Sequence, residues 1–213
     1  MKPLAQCRLY AFIDTAFLRG RDAAGVARQL CAGGSDLVQL RAKHSTPAEI
    51  RRLAGEILPI FRDAGVGLVI NDHYDLASEL GADLCHLGQE DFFGAGWTSV
   101  AQLAGLPSAP GVGLSTHSPD QAWRAMEAGP AYIAIGPVYA TGTKPGVKPV
   151  TLEYVRWAAA HVKMPWFAIG GIDLGNLDAV LAAGAQRVCA VSAILNAPDI
   201  AGACRQFRKR LPD

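Results

Sequence analysis

The sequence predicts a single-domain α/β protein, a (β/α)8 barrel of the TIM type, and three observations predict it. Apolar runs recur eight times, at residues 9–13, 37–40, 68–70, 84–87, 112–114, 132–135, 166–169 and 188–191, each leading into Gly, Asp, Ser or other polar residues. These runs lack strict alternation, the pattern of parallel strands buried on both faces. Helical stripes lie between them, and 213 residues, half of them apolar, suffice for one substantial core spanning residues 1–213. A doubly wound open sheet is the alternative arrangement, but no GxGxxG follows the first run.

In chain order, the first run (9–13) is followed by the second (37–40), which leads into Gln39, Arg41 and Lys43. Ser45 and Thr46 then start a helix over 47–64, with Ile50, Leu53, Ala54, Ile57, Leu58 and Phe61 on one stripe. The third run exits into Asn71 and Asp72, and the fourth into an acidic turn, Gln89-Glu-Asp91. The fifth exits into Ser115-Thr-His117, and the sixth into the longest unpatterned stretch, 136–149, rich in Gly, Pro and Thr and a candidate lid. Gly170-Gly171 follow the seventh run and Ser192 the eighth. In this fold the loops after the strands carry function, and those after strands seven and eight commonly form a phosphate site.

The chemistry-bearing residues obey that rule. Gln39, Arg41 and Lys43, spaced by two, share one face of an extended segment, where Arg as a fork and Lys as a point charge suit a pyrophosphate. A Schiff-base role for Lys43 is weaker than ion pairing, given the carboxylates nearby. Asp72 and Asp91 follow neighbouring strands about 4.8 Å apart, so both could hold one Mg²⁺ together with substrate phosphates. Their bland alternative is helix capping. His86 reads as a buried, hydrogen-bonded strand residue and His117 as a helix start, and neither forms a metal motif with a second histidine. Thr141, Thr143 and Lys144 supply two hydroxyls and a cation, while Gly170-Gly171 let backbone N–H groups approach a phosphate or simply make a tight turn.

Composition narrows the partners. A formal charge of +1 gives no global field for nucleic acid or an anionic membrane. The five cysteines are scattered, odd in number and without a CxxC pair, which points to reduced thiols in a cytoplasmic protein, with Cys85 and Cys189 buried in strands. No apolar run approaches the roughly 20 residues needed to span a membrane, and no signal-peptide pattern opens the chain. The expected partners are small phosphorylated molecules. Homo-oligomerisation is left open by the sequence.

Seven segments, Gln39-Leu-Arg-Ala-Lys43, Ile70-Asn-Asp72, His86-Leu-Gly-Gln-Glu-Asp91, Gly113-Leu-Ser-Thr-His117, Gly136-Pro-Val-Tyr-Ala-Thr-Gly-Thr-Lys144, Ala168-Ile-Gly-Gly-Ile172 and Val191-Ser-Ala-Ile194, resemble in order the signatures of the thiamine phosphate synthase family. The resemblance implies that hydroxymethylpyrimidine diphosphate is joined to a thiazole phosphate, releasing pyrophosphate and leaving thiamine phosphate. It implies that Gln39, Arg41, Lys43, Asn71, Ser115 and Lys144 contact the pyrimidine diphosphate, that Asp72 and Asp91 hold Mg²⁺, and that Thr141, Thr143, Gly171, Val191 and Ser192 hold the thiazole phosphate. The implied chemistry is a dissociative substitution with Lys144 and Ser115 at the leaving group and no protein nucleophile. Two positions depart from the family pattern: Ala42, where Glu is usual, and Ala140, where Pro is usual. A related thiazole tautomerase on the same barrel, and a non-catalytic thiamine or phosphate sensor, are the competing readings. Asp91 and the Thr-x-Thr-Lys sequence ending at Lys144 speak against the first, and the full set of charged residues against the second.

Lys144 is the one lid cation expected to reach the diphosphate. A charged hydrogen bond contributes about 1.5–3 kcal/mol, so Lys144→Ala is expected to slow coupling by about one to two orders of magnitude. Steady-state kinetics should show the loss in kcat as well as KM. A raised KM at unchanged kcat would make Lys144 a uniform binding contact.

Overall fold

The computed structural model describes residues 1–103, 109–141 and 148–212. Eight parallel strands close into a barrel in chain order. They are β1 (Leu9–Asp14), β2 (Leu37–Arg41), β3 (Gly67–Asn71), β4 (Leu84–Leu87), β5 (Gly111–Thr116), β6 (Tyr132–Ile135), β7 (Trp166–Ala168) and β8 (Val188–Cys189). Closure is made by Leu9 opposite Val188 and Tyr10 opposite Cys189. The helices among the described residues are α1 (Ala23–Ala32), α2 (Pro47–Ala64), α3 (Tyr74–Leu80), α4 (Gln89–Gly94), α5 (Pro119–Glu127), α6 (Thr151–His161), α7 (Leu177–Ala182), α8 (Ser192–Leu195) and α9 (Ile200–Arg210). The expected α/β barrel is thus the observed one.

Helix α2 shows how directly the local sequence acts. The Thr46 hydroxyl accepts from the Glu49 N–H at 3.3 Å while the Glu49 carboxylate accepts from the Thr46 N–H at 2.6 Å, a reciprocal cap with Pro47 in the first position. Gly65, in the left-handed region at φ 68°, ends the helix. Ile50, Leu53, Ala54, Ile57 and Phe61 are buried against the barrel, and Leu58 lies half-buried at the edge of the stripe.

Three expectations are corrected. Strand β7 stops at Ala168 rather than 169, because Ile169 has left the regular ladder: its N–H donates to Ile135 O while its carbonyl accepts from Val138 N at 2.8 Å. The chain then turns through Gly170 and Gly171 at φ 100° and 64°. Strand β8 is only Val188–Cys189, since the short helix α8 begins at Ser192. The segment after β4 is not a loop: Gln89–Gly94 forms α4, which puts Asp91 in a first helical turn.

The barrel interior is filled by rings. Tyr10 and Tyr132 each pack edge-on against Phe167 at 5.4 Å between centroids, and Tyr10 stacks on Phe12 at 5.2 Å. So many rings fit only because β5 offers glycine where β6 offers tyrosine: Gly113 is paired in register with Tyr132. A Cβ on Gly113 would run into the Tyr132 ring and hydroxyl. At the opposite, amino-terminal end Asp36 accepts from the N–H groups of Arg8 and Leu9 at 2.6 and 3.0 Å and pairs with Lys2 at 2.6 Å, holding β1 to the start of β2.

Gly113→Ala should therefore overpack the interior. The expected cost is about 1–3 kcal/mol, seen as a melting temperature lower by about 3–10 °C for a domain of this size. An unchanged melting temperature would show that the Tyr132 ring is free to move aside.

Candidate active site

At the carboxyl ends of the strands the barrel opens into a cavity with about 890 Å³ of empty space once its open mouth is included. On one side its wall is formed by Gln39 and Arg41 of β2, Asn71 at the end of β3 and Ser115 of β5. Strand alternation accounts for Gln39 and Arg41 facing the same way. On the other side Thr141, Gly171, Val191 and Ser192 line it, from the loops after β6, β7 and β8. The short α8 begins at Ser192, in the arrangement from which barrels of this type build phosphate sites.

The cations arrive already paired. Asp14 ends β1 directly opposite Arg41, and the Arg41 Nη1 donates to its carboxylate at 2.7 Å. Asp14 is 1 % and Arg41 14 % exposed, so the pair is largely withdrawn from water. Lys43 pairs with Asp72 at 2.7 Å in a far more open position. Asp72 follows β3 with φ 66°, and its N–H donates to the His86 carbonyl at 2.9 Å. Lys43, Asp72 and Asp91 do not line the central cavity. Asp72 and Asp91 instead border a single adjoining depression, beside Arg51 and Tyr74. Asp91 folds back over Gly88, the residue that precedes α4, which leaves no room there for a Cβ. Among the described residues no three His, Cys, Asp or Glu side chains gather as a metal-holding cluster. Asp72 and Asp91, which border this depression together with Asp75, fit Mg²⁺ only with its remaining positions filled by substrate oxygens and water. Thr143 and Lys144 lie outside the described residues.

Beneath the cavity runs a chain of buried polar groups. The Gln39 Nε2 donates to the Tyr10 hydroxyl at 2.6 Å, Tyr10 and Tyr132 hydroxyls meet at 3.0 Å, and Tyr132 meets His86 Nδ1 at 3.0 Å. His86 Nε2 lies 2.9 Å from Ser115 Oγ. Burial pushes both tyrosine hydroxyls well above their ordinary pKa, so they remain neutral phenols. Cys189 also lines the cavity, but burial raises its thiol well above the usual range and keeps it protonated. All five cysteines are free, and Cys85 and Cys189 are buried in strands as the sequence suggested.

Several residues in and around the cavity escaped the sequence reading. Asp14 carries the signal that singled out Asp72, a carboxylate at a strand end, but in the first strand. Tyr10 and Tyr132 lie mid-strand inside apolar runs, where nothing marks a hydroxyl as inward. His117 does precede a helix, with Ser118 capping α5, yet it also lines the cavity and its Nδ1 donates to the Gly136 carbonyl. Conversely, Gly170 and Gly171 have a structural reason independent of phosphate. Both have positive φ, and a Cβ at either would strike Pro137 or Tyr139 in the loop after β6.

The family model for "Thiamine monophosphate synthase" matches residues 9–194. The thiamine-phosphate synthase of Thermus thermophilus is 49% identical over 181 residues, covering 84% of each chain. That of Halalkalibacterium halodurans is 36% identical over 201 residues, covering 94% of this chain and 93% of its own. Among solved structures, the thiamine phosphate pyrophosphorylase from Pyrococcus furiosus superposes with a TM-score of 0.85 at 25% identity, over 98% of this chain and 96% of the other.

Because the Asp14–Arg41 pair is nearly dry, removing one partner leaves a charge without compensation. Asp14→Ala is expected to destabilise the fold by about 2–4 kcal/mol, read as a lower urea midpoint at unchanged slope. A loss below about 0.5 kcal/mol would mean that water takes over the carboxylate's role.

Proposed function

The chain belongs to the thiamine monophosphate synthase family and is a transferase; from that premise we propose that it joins hydroxymethylpyrimidine diphosphate to thiazole phosphate in the central cavity. The observation that carries this reading is the division of the cavity wall. Charged and amide groups with one hydroxyl, Gln39, Arg41, Asn71 and Ser115, line one side, and hydroxyls and glycine backbone alone, Thr141, Gly171 and Ser192, line the other, with Val191 beside them. The first set suits a diphosphate, the second a monophosphate.

On the diphosphate side Arg41 spends Nη1 on Asp14, which aims the rest of its planar fork at an anion. Lys43 sits at the rim and, on ligand entry, can exchange part of its contact with Asp72 for a phosphate oxygen. Ser115 and, from the lid, Lys144 meet the charge that develops on the departing pyrophosphate. Asp72 and Asp91 would hold Mg²⁺, which when bound supplies further positive charge against that leaving group. On the monophosphate side Ser192 and the backbone at Gly171 hold the thiazole phosphate, with Thr141 and Thr143 from the loop after β6. The protein's contribution is placement: the pyrimidine methylene cation left by pyrophosphate departure is held facing the thiazole nitrogen. With Cys189 protonated and both tyrosines neutral, neither that thiol nor those phenols compete for the cation.

No helix among the described residues is long and apolar enough to cross a membrane. Free, buried cysteines fit a reducing compartment, and we assign the protein to the cytoplasm.

Incubation with both substrates and Mg²⁺ is expected to yield thiamine phosphate and pyrophosphate in equal amounts. Conversion of the thiazole alone, without pyrophosphate release, would favour an isomerase, and binding without product a sensor. Asp91→Asn is expected to lower coupling by about two orders of magnitude with little change in melting temperature, because Asn has nearly the size of the side chain it replaces over Gly88. Near-normal activity and Mg²⁺ dependence in that variant would reduce Asp91 to its contact over Gly88. Ser192→Asp sets a carboxylate against the monophosphate and is expected to raise KM for thiazole phosphate by at least about tenfold, with a much smaller change for the diphosphate. Equal losses for both substrates would contradict the division of the cavity.

A further inference from the structure

The buried chain beneath the cavity has a direction, and the direction reaches Ser115. Gln39 turns its amide nitrogen to Tyr10, and an amide nitrogen only donates. Tyr10 Oη therefore accepts, and its single hydrogen must go to the other oxygen within reach, that of Tyr132. Were Tyr132 to donate to Tyr10 instead, the fully buried Tyr10 hydroxyl would accept twice and leave its own hydrogen without an acceptor, an arrangement buried groups avoid. With the Tyr10 hydrogen accepted, Tyr132 gives its own hydrogen to His86 Nδ1. A neutral imidazole that accepts at Nδ1 carries its proton on Nε2, and Nε2 faces Ser115 Oγ at 2.9 Å. Ser115 then accepts from His86, so its hydroxyl hydrogen is left over at the end of the chain, on a residue that lines the cavity.

We propose that Tyr132 is a positioning residue for Ser115: the hydrogen-bond chain from Gln39 through Tyr10 and Tyr132 holds His86 in its Nε2–H tautomer and commits the Ser115 hydroxyl to donate into the cavity. Both phenols stay neutral because burial holds their pKa well above the ordinary value, so each keeps a hydrogen to donate. The ring of His86 also stacks on that of Tyr132 at 5.7 Å between centroids, which fixes the imidazole plane as well as its proton. The consequence for catalysis rests on the proposed contact between Ser115 and the diphosphate: a hydroxyl that can only donate is matched to an oxygen gaining negative charge.

The wild-type protein, labelled with ¹⁵N at histidine, provides the first test. Long-range ¹H–¹⁵N correlation spectra, with the His86 signals identified by their loss in His86→Gln, are expected to show one tautomer with the hydrogen on Nε2. A hydrogen on Nδ1 would mean that the chain runs from Ser115 towards Gln39, and would overturn the proposal. In Tyr132→Phe the single tautomer is expected to give way to a mixture, and kcat to fall about tenfold with KM for the diphosphate within about twofold. Retention of that tautomer in Tyr132→Phe, or its loss without any fall in kcat, would overturn the proposal. Ser115→Ala separates the two levels: unchanged turnover in that variant would overturn the ligand contact itself, whatever tautomer His86 adopts.

Discussion

Five of the eight strands are tied across the barrel interior by one run of hydrogen bonds, Gln39 on β2 to Tyr10 on β1, Tyr132 on β6, His86 on β4 and Ser115 on β5. Buried polar groups are costly unless partnered, and in a low-dielectric interior each partnered link strengthens its neighbours. The surrounding packing follows from that requirement. Gly113 vacates the space that the Tyr132 ring occupies, and Phe167 and Phe12 clamp the two phenols from the sides. The ring layer is also the floor of the cavity, so the groups that face a ligand at Gln39 and Ser115 are the two ends of the structure that fills the barrel.

Above this floor the charges are arranged before any ligand arrives. Arg41 is held by Asp14 across a register pair of β1 and β2, and Lys43 by Asp72 from the end of β3. The two pairs differ in exposure, and that difference sets their roles. The nearly dry Asp14–Arg41 pair is expensive to break and orients the guanidinium, whereas the open Lys43–Asp72 pair is screened and exchanges partners readily. A net charge of +1 supplies no global field, so the proposed anion binding rests on these few placed groups.

The sequence made the strand ends legible but not the strand middles. Polar residues at the close of an apolar run stand out, which is how Gln39, Arg41, Asn71, Ser115 and Ser192 were found, all of them lining the cavity. In strands buried on both faces, inward and outward residues are equally apolar, so Tyr10 and Tyr132 carried no mark of facing one another. Asp14 stood one residue beyond the first run with Thr15 beside it and no adjacent second charge to draw attention to it. The short α4 was unreadable for another reason: six residues give less than two turns of periodicity, and Gln89-Glu-Asp resembles an acidic turn. That difference matters for Asp91, whose carboxylate lies over the start of a helix and borders the same depression as Asp72.

The two sides of the cavity differ in kind because the loops that form them differ in how they are built. After β2 and β3 the chain leaves the barrel with long side chains standing free of the backbone, so those loops present charge. After β7 it cannot: Gly170 and Gly171 pack against Pro137 and Tyr139, and the close approach leaves room for backbone alone. The Gly171 carbonyl is already taken by the Asn176 amide at 2.8 Å, which further fixes the loop. A diphosphate that must leave as the bond breaks is better met by side chains that can move with it. A monophosphate that must hold the second substrate still is better met by a rigid backbone seat. The asymmetry of the barrel's rim thus matches the asymmetry of the proposed reaction, one phosphate group departing and the other anchored.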